Sequence, residues 1–189
     1  MSYLNLASIR LCTESEGPGK RMAVWVQGCE RRCPGCCNIE MQEIRKNIIV
    51  DTHDIIKLID KMVKENDIEG VSFIGGEPIL QSEGLSDIAE WCQNINLSVL
   101  VFTGYLYQDL INMNNKYVNK LISNTDLLVD GPFIEEEYDE ERYFVGSTNQ
   151  KIYFLSERYK PGIEFVKKER TMEVLISEKN ILVNGWPFL

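Results

Sequence analysis

Short apolar runs alternate along this chain with longer stretches whose apolar residues return every three or four positions. The runs 22–27, 71–74, 97–102, 126–130 and 151–155 read as strands bounded by turn residues. After the first two, strand starts recur about every 25 residues, the spacing of strand–helix–strand units in a parallel sheet. Between the first two, Ile55, Leu58, Ile59, Met62 and Val63 form one face of a helix that Asp51 or Thr52 can cap. A second helix carries Leu85, Ile88, Ala89, Cys92 and Ile95 at similar spacing, which makes Cys92 a core residue. Cys12, in an early strand or loop, reads as structural. Beyond Pro161-Gly162 the pattern changes: runs 172–176 and 181–183 flank Ser177-Glu178-Lys179-Asn180, a terminal hairpin that either covers a sheet edge or serves as a docking element.

The 189 residues fit one α/β domain, with a core over about 16–155 and a C-terminal extension over 156–189. No stretch approaches the roughly 20 apolar residues that cross a bilayer. Residues 1–6 lack the basic and apolar regions of a secretory signal, so the expected compartment is the cytoplasm, with no membrane partner. A formal charge of −9 argues against nucleic acid, whose phosphates need a basic surface. Much of the excess lies in Glu135-Glu136-Glu137-Tyr138-Asp139-Glu140-Glu141. That run reads as a solvated loop, with an acidic docking surface for a basic protein partner as the alternative.

Four of the six cysteines fall between residues 29 and 37, which in a reducing compartment points to metal binding rather than disulfides. Cys29, Cys33 and Cys36 give a C-x3-C-x2-C loop that can wrap a compact cluster, and thiolates are the soft ligands that iron–sulfur clusters take. Three protein ligands on a four-iron cluster leave one iron open to bind a substrate. A zinc knot with Cys37 or a remote cysteine as fourth ligand is the competing reading, but there is no second cysteine pair and the sole histidine is His53. Cys37 is read as a pocket-lining thiol, His53 as a surface or capping residue near a helix start, and Arg31 and Arg32 as solvent-exposed.

In parallel α/β sheets chemistry collects at the C-terminal ends of the strands. The cysteine loop follows the first strand, Gly75-Gly76-Glu77-Pro78 the second, Thr103-Gly104-Tyr105 the third and Asp130-Gly131-Pro132 the fourth. The cysteine loop followed by Gly75-Gly76-Glu77-Pro78 resembles the radical S-adenosylmethionine superfamily. The resemblance implies a partial, incomplete parallel β/α barrel and a [4Fe-4S] cluster held by Cys29, Cys33 and Cys36. It also implies S-adenosylmethionine as cosubstrate, its amino group received by the glycine segment. Cofactor-binding candidates are Gly35, Cys37, Asn38, Gly75, Gly76, Glu77, Pro78, Thr103 and Asp130. For Asp130 a helix cap or turn role, and for Asn38 satisfaction of the loop backbone, stand as alternatives.

Cys33-Pro34-Gly35-Cys36 is similar to the activating-enzyme family of anaerobic ribonucleotide reductase. So, in order, are Glu16-Gly17-Pro18-Gly19, Val26-Gln27-Gly28-Cys29, Thr103-Gly104-Tyr105, Leu128-Val129-Asp130-Gly131-Pro132-Phe133 and Gly146-Ser147-Thr148-Asn149-Gln150. Residues 156–189 extend beyond the compact version of that family. This resemblance implies a one-electron donor such as flavodoxin, cleavage of S-adenosylmethionine to methionine and a 5′-deoxyadenosyl radical, and removal of an α-hydrogen from a glycine of a partner glycyl radical enzyme. The same chemistry on another substrate, or a noncatalytic iron–sulfur or zinc-binding module, are the competing functions.

Overall fold

The computed structural model describes residues 2–166, 172–176 and 181–185. Seven strands form one sheet in the order β3-β1-β2-β4-β5-β6-β7. They are β1 (Tyr3–Thr13), β2 (Arg21–Val26), β3 (Ile48–Asp51), β4 (Gly70–Gly75), β5 (Ser98–Phe102), β6 (Leu127–Asp130) and β7 (Lys151–Phe154). The centre, β2-β4-β5-β6, is parallel, and β1, β3 and β7 flank it antiparallel to their neighbours. The fold is thus mixed α/β with a parallel centre. Two further strands, β8 (Met172–Ile176) and β9 (Ile181–Gly185), pair antiparallel as a separate ribbon. The turn expected at 177–180 lies outside the described residues.

Parallel neighbours need a long crossover, and helices α1 (Thr52–Asn66), α2 (Ser82–Asn94), α3 (Tyr107–Asn112) and α4 (Lys116–Ser123) supply those crossovers. Asp51 caps α1 by accepting the His53 backbone N–H at 2.8 Å, so the cap falls where the sequence predicts it and His53 itself is exposed. The run at 151–155 has no helix before it, only a 3-10 turn at Glu135–Glu137. The chain therefore leaves β6 and re-enters β7 at the same end, which forces the antiparallel pairing.

Because side chains alternate along a strand, each strand serves two faces. Met22, Val24 and Val26 of β2, Val71 and Phe73 of β4, and Val99 and Val101 of β5 pack with α1, α2 and α4 in the main core. Cys92 is wholly buried there, and Cys12 packs against its edge, as expected of structural cysteines. Ala23, Trp25, Ile74 and Phe102 point the other way, as do Leu100, Leu127 and Val129, which Phe144, Ile152, Phe154 and Tyr159 cover. At the N-terminal ends of the strands, the wholly buried Arg21 guanidinium donates to Ser72 Oγ, Ser98 Oγ, Tyr159 Oη and the carbonyls of Pro18 and Val71. Among the described residues its hydrogen-bond partners are neutral acceptors, which solvate its charge.

Candidate metal centre

The four parallel strands end at one rim, and the cysteine loop leaves the rim directly after β2. Gly28, at φ +100, makes the turn. Its N–H donates to Met41 O at 2.8 Å and the Cys29 N–H to Gln42 O at 3.0 Å, closing residues 28–42 into a loop. Inside it, Cys36 N donates to Cys33 O at 3.4 Å. Cys29, Cys33 and Cys36 all line one cavity of about 630 Å³, and Cys37 and Asn38 line it beside them.

The sulfurs differ in their surroundings. Burial pushes the Cys29 thiol up, while the backbone N–H groups of Arg32 and Arg31 donate to it and favour its thiolate. A hydrogen bond from Cys37 lowers Cys36 despite burial, and the Asn38 N–H and Gln42 assist. Cys37 is raised in turn, because it keeps the proton it donates to Cys36 and because it is buried from solvent at the sulfur. Among the described residues no three His, Cys, Asp or Glu side chains converge on a point that one metal ion could fill. Three thiols on one cavity wall, with backbone N–H groups donating to one sulfur, are soft donors of the kind an iron–sulfur cluster takes.

The glycine segment sits against this loop. Gly76 N donates to Val26 O at 2.7 Å and Glu77 N to Gly28 O at 2.8 Å, so pairing with the β2 segment continues past the end of β4. A Cβ on Gly76 would stand 2.2 Å from the Gly28 carbonyl oxygen. Glycine is needed there for the approach of two backbones, one residue before Cys29.

Glu77 is 1% exposed. Its carboxylate accepts from Ile79 N at 3.0 Å, Thr103 Oγ1 at 2.8 Å and Gly104 N at 2.8 Å. It thereby ties the segment after β4 to the segment after β5. Burial pushes its pKa up to about 6 against those three bonds. Gly75, Gly76, Glu77, Thr103 and Gly104 line the cavity with the cysteines.

Gly35, Pro78 and Asp130 are not brought to the cavity wall. Gly35, at φ +68, lies against the Glu135 carboxylate. Pro78 starts a short 3-10 turn. Asp130 is buried and accepts from Tyr107 N at 2.7 Å and Lys151 N at 3.2 Å, a capping role for α3 and β7. Arg31 and Arg32 are exposed, with the Arg31 guanidinium 4.9 Å from the centre of the Tyr105 ring.

The remaining walls come from far along the chain. Trp25, Ile74 and Phe102 form the floor, and residues 142–146 form one side. Arg142, paired with Asp139, holds that side in place by donating to the carbonyls of Ser147, Thr148 and Gln150. The C-terminal ribbon forms another side through Val183, Asn184 and Gly185. Asn184 accepts from Arg10 Nε at 2.9 Å and donates to Thr13 Oγ1 at 3.0 Å, and Gly185 N donates to Glu16 Oε1 at 2.8 Å. Burial raises the Glu16 pKa. Arg10, Glu16 and Asn184 carry no site role in the sequence reading, where Glu16 enters only as the first residue of the family-like segment Glu16-Gly17-Pro18-Gly19.

A family model described as a 4Fe-4S single cluster domain matches residues 15–153. The anaerobic ribonucleoside-triphosphate reductase-activating protein of Escherichia coli K12 is 29% identical over 148 residues, covering 74% of this chain and 91% of the relative. The protein of the same name from Salmonella typhi is 30% identical over 154 residues, covering 74% and 91%. A pyruvate formate-lyase-activating enzyme from Clostridium pasteurianum is 29% identical over 117 residues, covering 60% of this chain and 46% of its own length. The matched domain stops before β8 and β9.

Proposed function

The chain belongs to the 4Fe-4S single cluster domain family, and from that premise we propose that it is a radical S-adenosylmethionine activating enzyme for anaerobic ribonucleoside-triphosphate reductase. One observation carries the reading: three cysteines, the glycine segment and the Thr103-Gly104 turn, from three successive strand ends, line a single cavity. Cys29, Cys33 and Cys36 would hold a [4Fe-4S] cluster. When bound, that cluster supplies one-electron reductive cleavage of S-adenosylmethionine to methionine and a 5′-deoxyadenosyl radical, which takes an α-hydrogen from a glycine of the reductase and leaves as 5′-deoxyadenosine.

The protein's own contribution is arrangement. The Arg31 and Arg32 N–H groups orient Cys29, and Glu77 fixes the spacing of the two rim segments that flank the cosubstrate. Gly75, Gly76, Thr103, Cys37 and Asn38 wall the cosubstrate side, and Trp25, Ile74 and Phe102 exclude water from the floor. Gly35, Pro78 and Asp130 act behind this wall: Gly35 and Pro78 shape the two loops, and Asp130 anchors α3. The sheet, with helices on one face and a cavity on the other, is read as an incomplete β/α barrel. A flavodoxin-like protein in the cytoplasm is the proposed electron donor.

The test is electron paramagnetic resonance of reduced, reconstituted enzyme mixed with S-adenosylmethionine and the reductase from the same source. A glycine-centred doublet on the reductase is expected. Cleavage of S-adenosylmethionine without that doublet would overturn the choice of substrate, and absence of cleavage would overturn the chemistry.

A further inference from the structure

The ribbon of β8 and β9 has two unlike faces. Residues opposite each other in an antiparallel pair share a face. Glu173 and Asn184 form one such pair, and they anchor the ribbon: Glu173 accepts from Glu14 N at 2.9 Å and from Asn184 Nδ2 at 3.1 Å, while Asn184 reaches Arg10 and Thr13. The other face carries the pairs Val174–Val183 and Met172–Gly185, with Ile176 two positions on. Val183, Asn184 and Gly185 all border the cavity that holds the three cysteines, so both faces of the ribbon reach it at this end. Yet Met172, Val174, Ile176 and Val183 are 54%, 47%, 77% and 48% exposed. Four exposed aliphatic side chains on one face, continuous with the mouth of a reactive cavity, mark a surface that a partner covers.

We infer that this face is the docking surface for the segment of the protein substrate that enters the cavity, an inference that rests on the function proposed above. The occupant is an extended polypeptide, apolar toward the ribbon and basic on its other flank. The second attribute follows from charge: the acidic turn Glu135–Glu137 is exposed and lies against Gly35 of the cysteine loop, so an entering segment passes beside it. The ribbon follows the matched family domain in sequence, so it adds a wall to a site whose cysteines and glycines all lie inside that domain. Glu173 and Asn184 hold one face to the end of β1; Leu175 on that face is 52% exposed as well, and the larger exposed apolar group is that of Met172, Val174, Ile176 and Val183 on the other.

The experiment compares the full-length chain with its Val174→Lys/Ile176→Lys double variant, each reconstituted and assayed with increasing concentrations of the reductase. Both substituted positions are solvent-exposed, and retained uncoupled cleavage of S-adenosylmethionine reports that fold and cluster are intact. The expected result is a rise of about tenfold or more in the half-saturating reductase concentration, with the maximal rate changed far less and Ile176→Val behaving as the parent. In parallel, hydrogen exchange of residues 172–176 and 181–185 in the cluster-free chain should slow when the reductase is added. A double variant that activates like the parent overturns the inference. So does exchange that quickens on addition, which would make the ribbon a displaced lid. A change only in the chain's own dimerisation would assign the face to a second copy and equally overturn it. Failure of the parent chain itself to generate a glycyl radical is a separate result, and counts against the proposed function instead.

Discussion

The two faces of the central sheet are built from the same strands and have opposite characters. On the helix-covered face, Met22, Val24, Val71, Phe73 and Val99 are wholly buried beneath regular helices. On the other face, Leu100 and Leu127 are buried under irregular chain, while Trp25, Ile74 and Phe102 look into a cavity. The difference is one of covering material. Helices bring a continuous apolar stripe and satisfy their own backbone, so the face they cover closes completely. The segments over the other face satisfy their backbone through side chains such as Arg142, Asn149 and Gln150, and they leave room. One face holds the fold together, and the other leaves space for chemistry.

The sharpest way to break this comparison is to separate the three loop cysteines from Cys12 and Cys92 of the covered face and from Cys37 beside them. Cys29→Ala, Cys33→Ala or Cys36→Ala should each abolish cluster binding, read as iron content and visible absorbance after anaerobic reconstitution. Cys12→Ala, Cys37→Ala and Cys92→Ala should keep it. Stoichiometric zinc in protein purified without oxygen, with no uptake of iron, would remove the distinction. Next in size is a change confined to the covered face. Leu85→Ala, at a wholly buried position of α2, should cost about 2–5 kcal/mol in denaturant unfolding, with no direct effect on the cysteine loop.

A smaller effect lies where the two faces meet, at Glu77. Its folded pKa of about 6 stands above the ordinary 4.5 because burial disfavours the charge. The folded state therefore holds that proton more tightly than the unfolded chain. The associated stability is fully present below pH 4.5 and is lost as pH rises through about 6, by about 2 kcal/mol in all. Cluster-free protein should show this fall in chemical denaturation, and Glu77→Gln should lack it while being less stable at neutral pH, since an amide cannot accept from all three donors. Smallest is the outer surface of α1. The exposed Asp60–Lys64 pair, 2.5 Å apart at i,i+4, should contribute under about 0.5 kcal/mol, so Asp60→Asn should leave the unfolding midpoint almost unmoved.

How much of this was legible in the sequence follows the same division. The parallel strands and the helices α1 and α2 announce themselves, because each buries a regular apolar pattern against the other. β1 did not, although it is the longest strand: register shifts between Leu6 and Ser8 and between Arg10 and Thr13 break its alternation. The short edge strand β3, with Ile48 and Ile49 half exposed, has no buried face to write into the sequence. α3 and α4 span six and eight residues, too few for a stable period. The antiparallel entry of β7 depended on a missing crossover helix rather than on its own residues.

The site divides likewise. The cysteine loop is local, so spacing alone marks it as a candidate ligand set. Gly76 was read as part of a cosubstrate-binding segment, whereas the atom that a Cβ there would meet, the Gly28 carbonyl, comes from another strand end and has no sign in the local sequence. Arg10 and Asn184 are separated by 174 residues and meet only through the fold. No local pattern carries that information.

The wholly buried Arg21 has a further consequence, for the order in which the molecule assembles. Its guanidinium is held by Pro18, Ser72 and Ser98 within the sheet, and by Tyr159 at a separation of 138 residues. Contacts of long separation must repay loop-closure entropy, so they consolidate after the local ones. The strands β2, β4 and β5 can gather around Arg21 while the segment carrying Tyr159 is still free. That tyrosine then acts as a latch, and the chain covering the cavity is fixed only once the strand ends beneath it exist. By the separation of its partners along the chain, the layer that covers the cavity is thus tied down by the most distant contact, and the strand ends that carry the cysteine loop and the glycine segment by nearer ones.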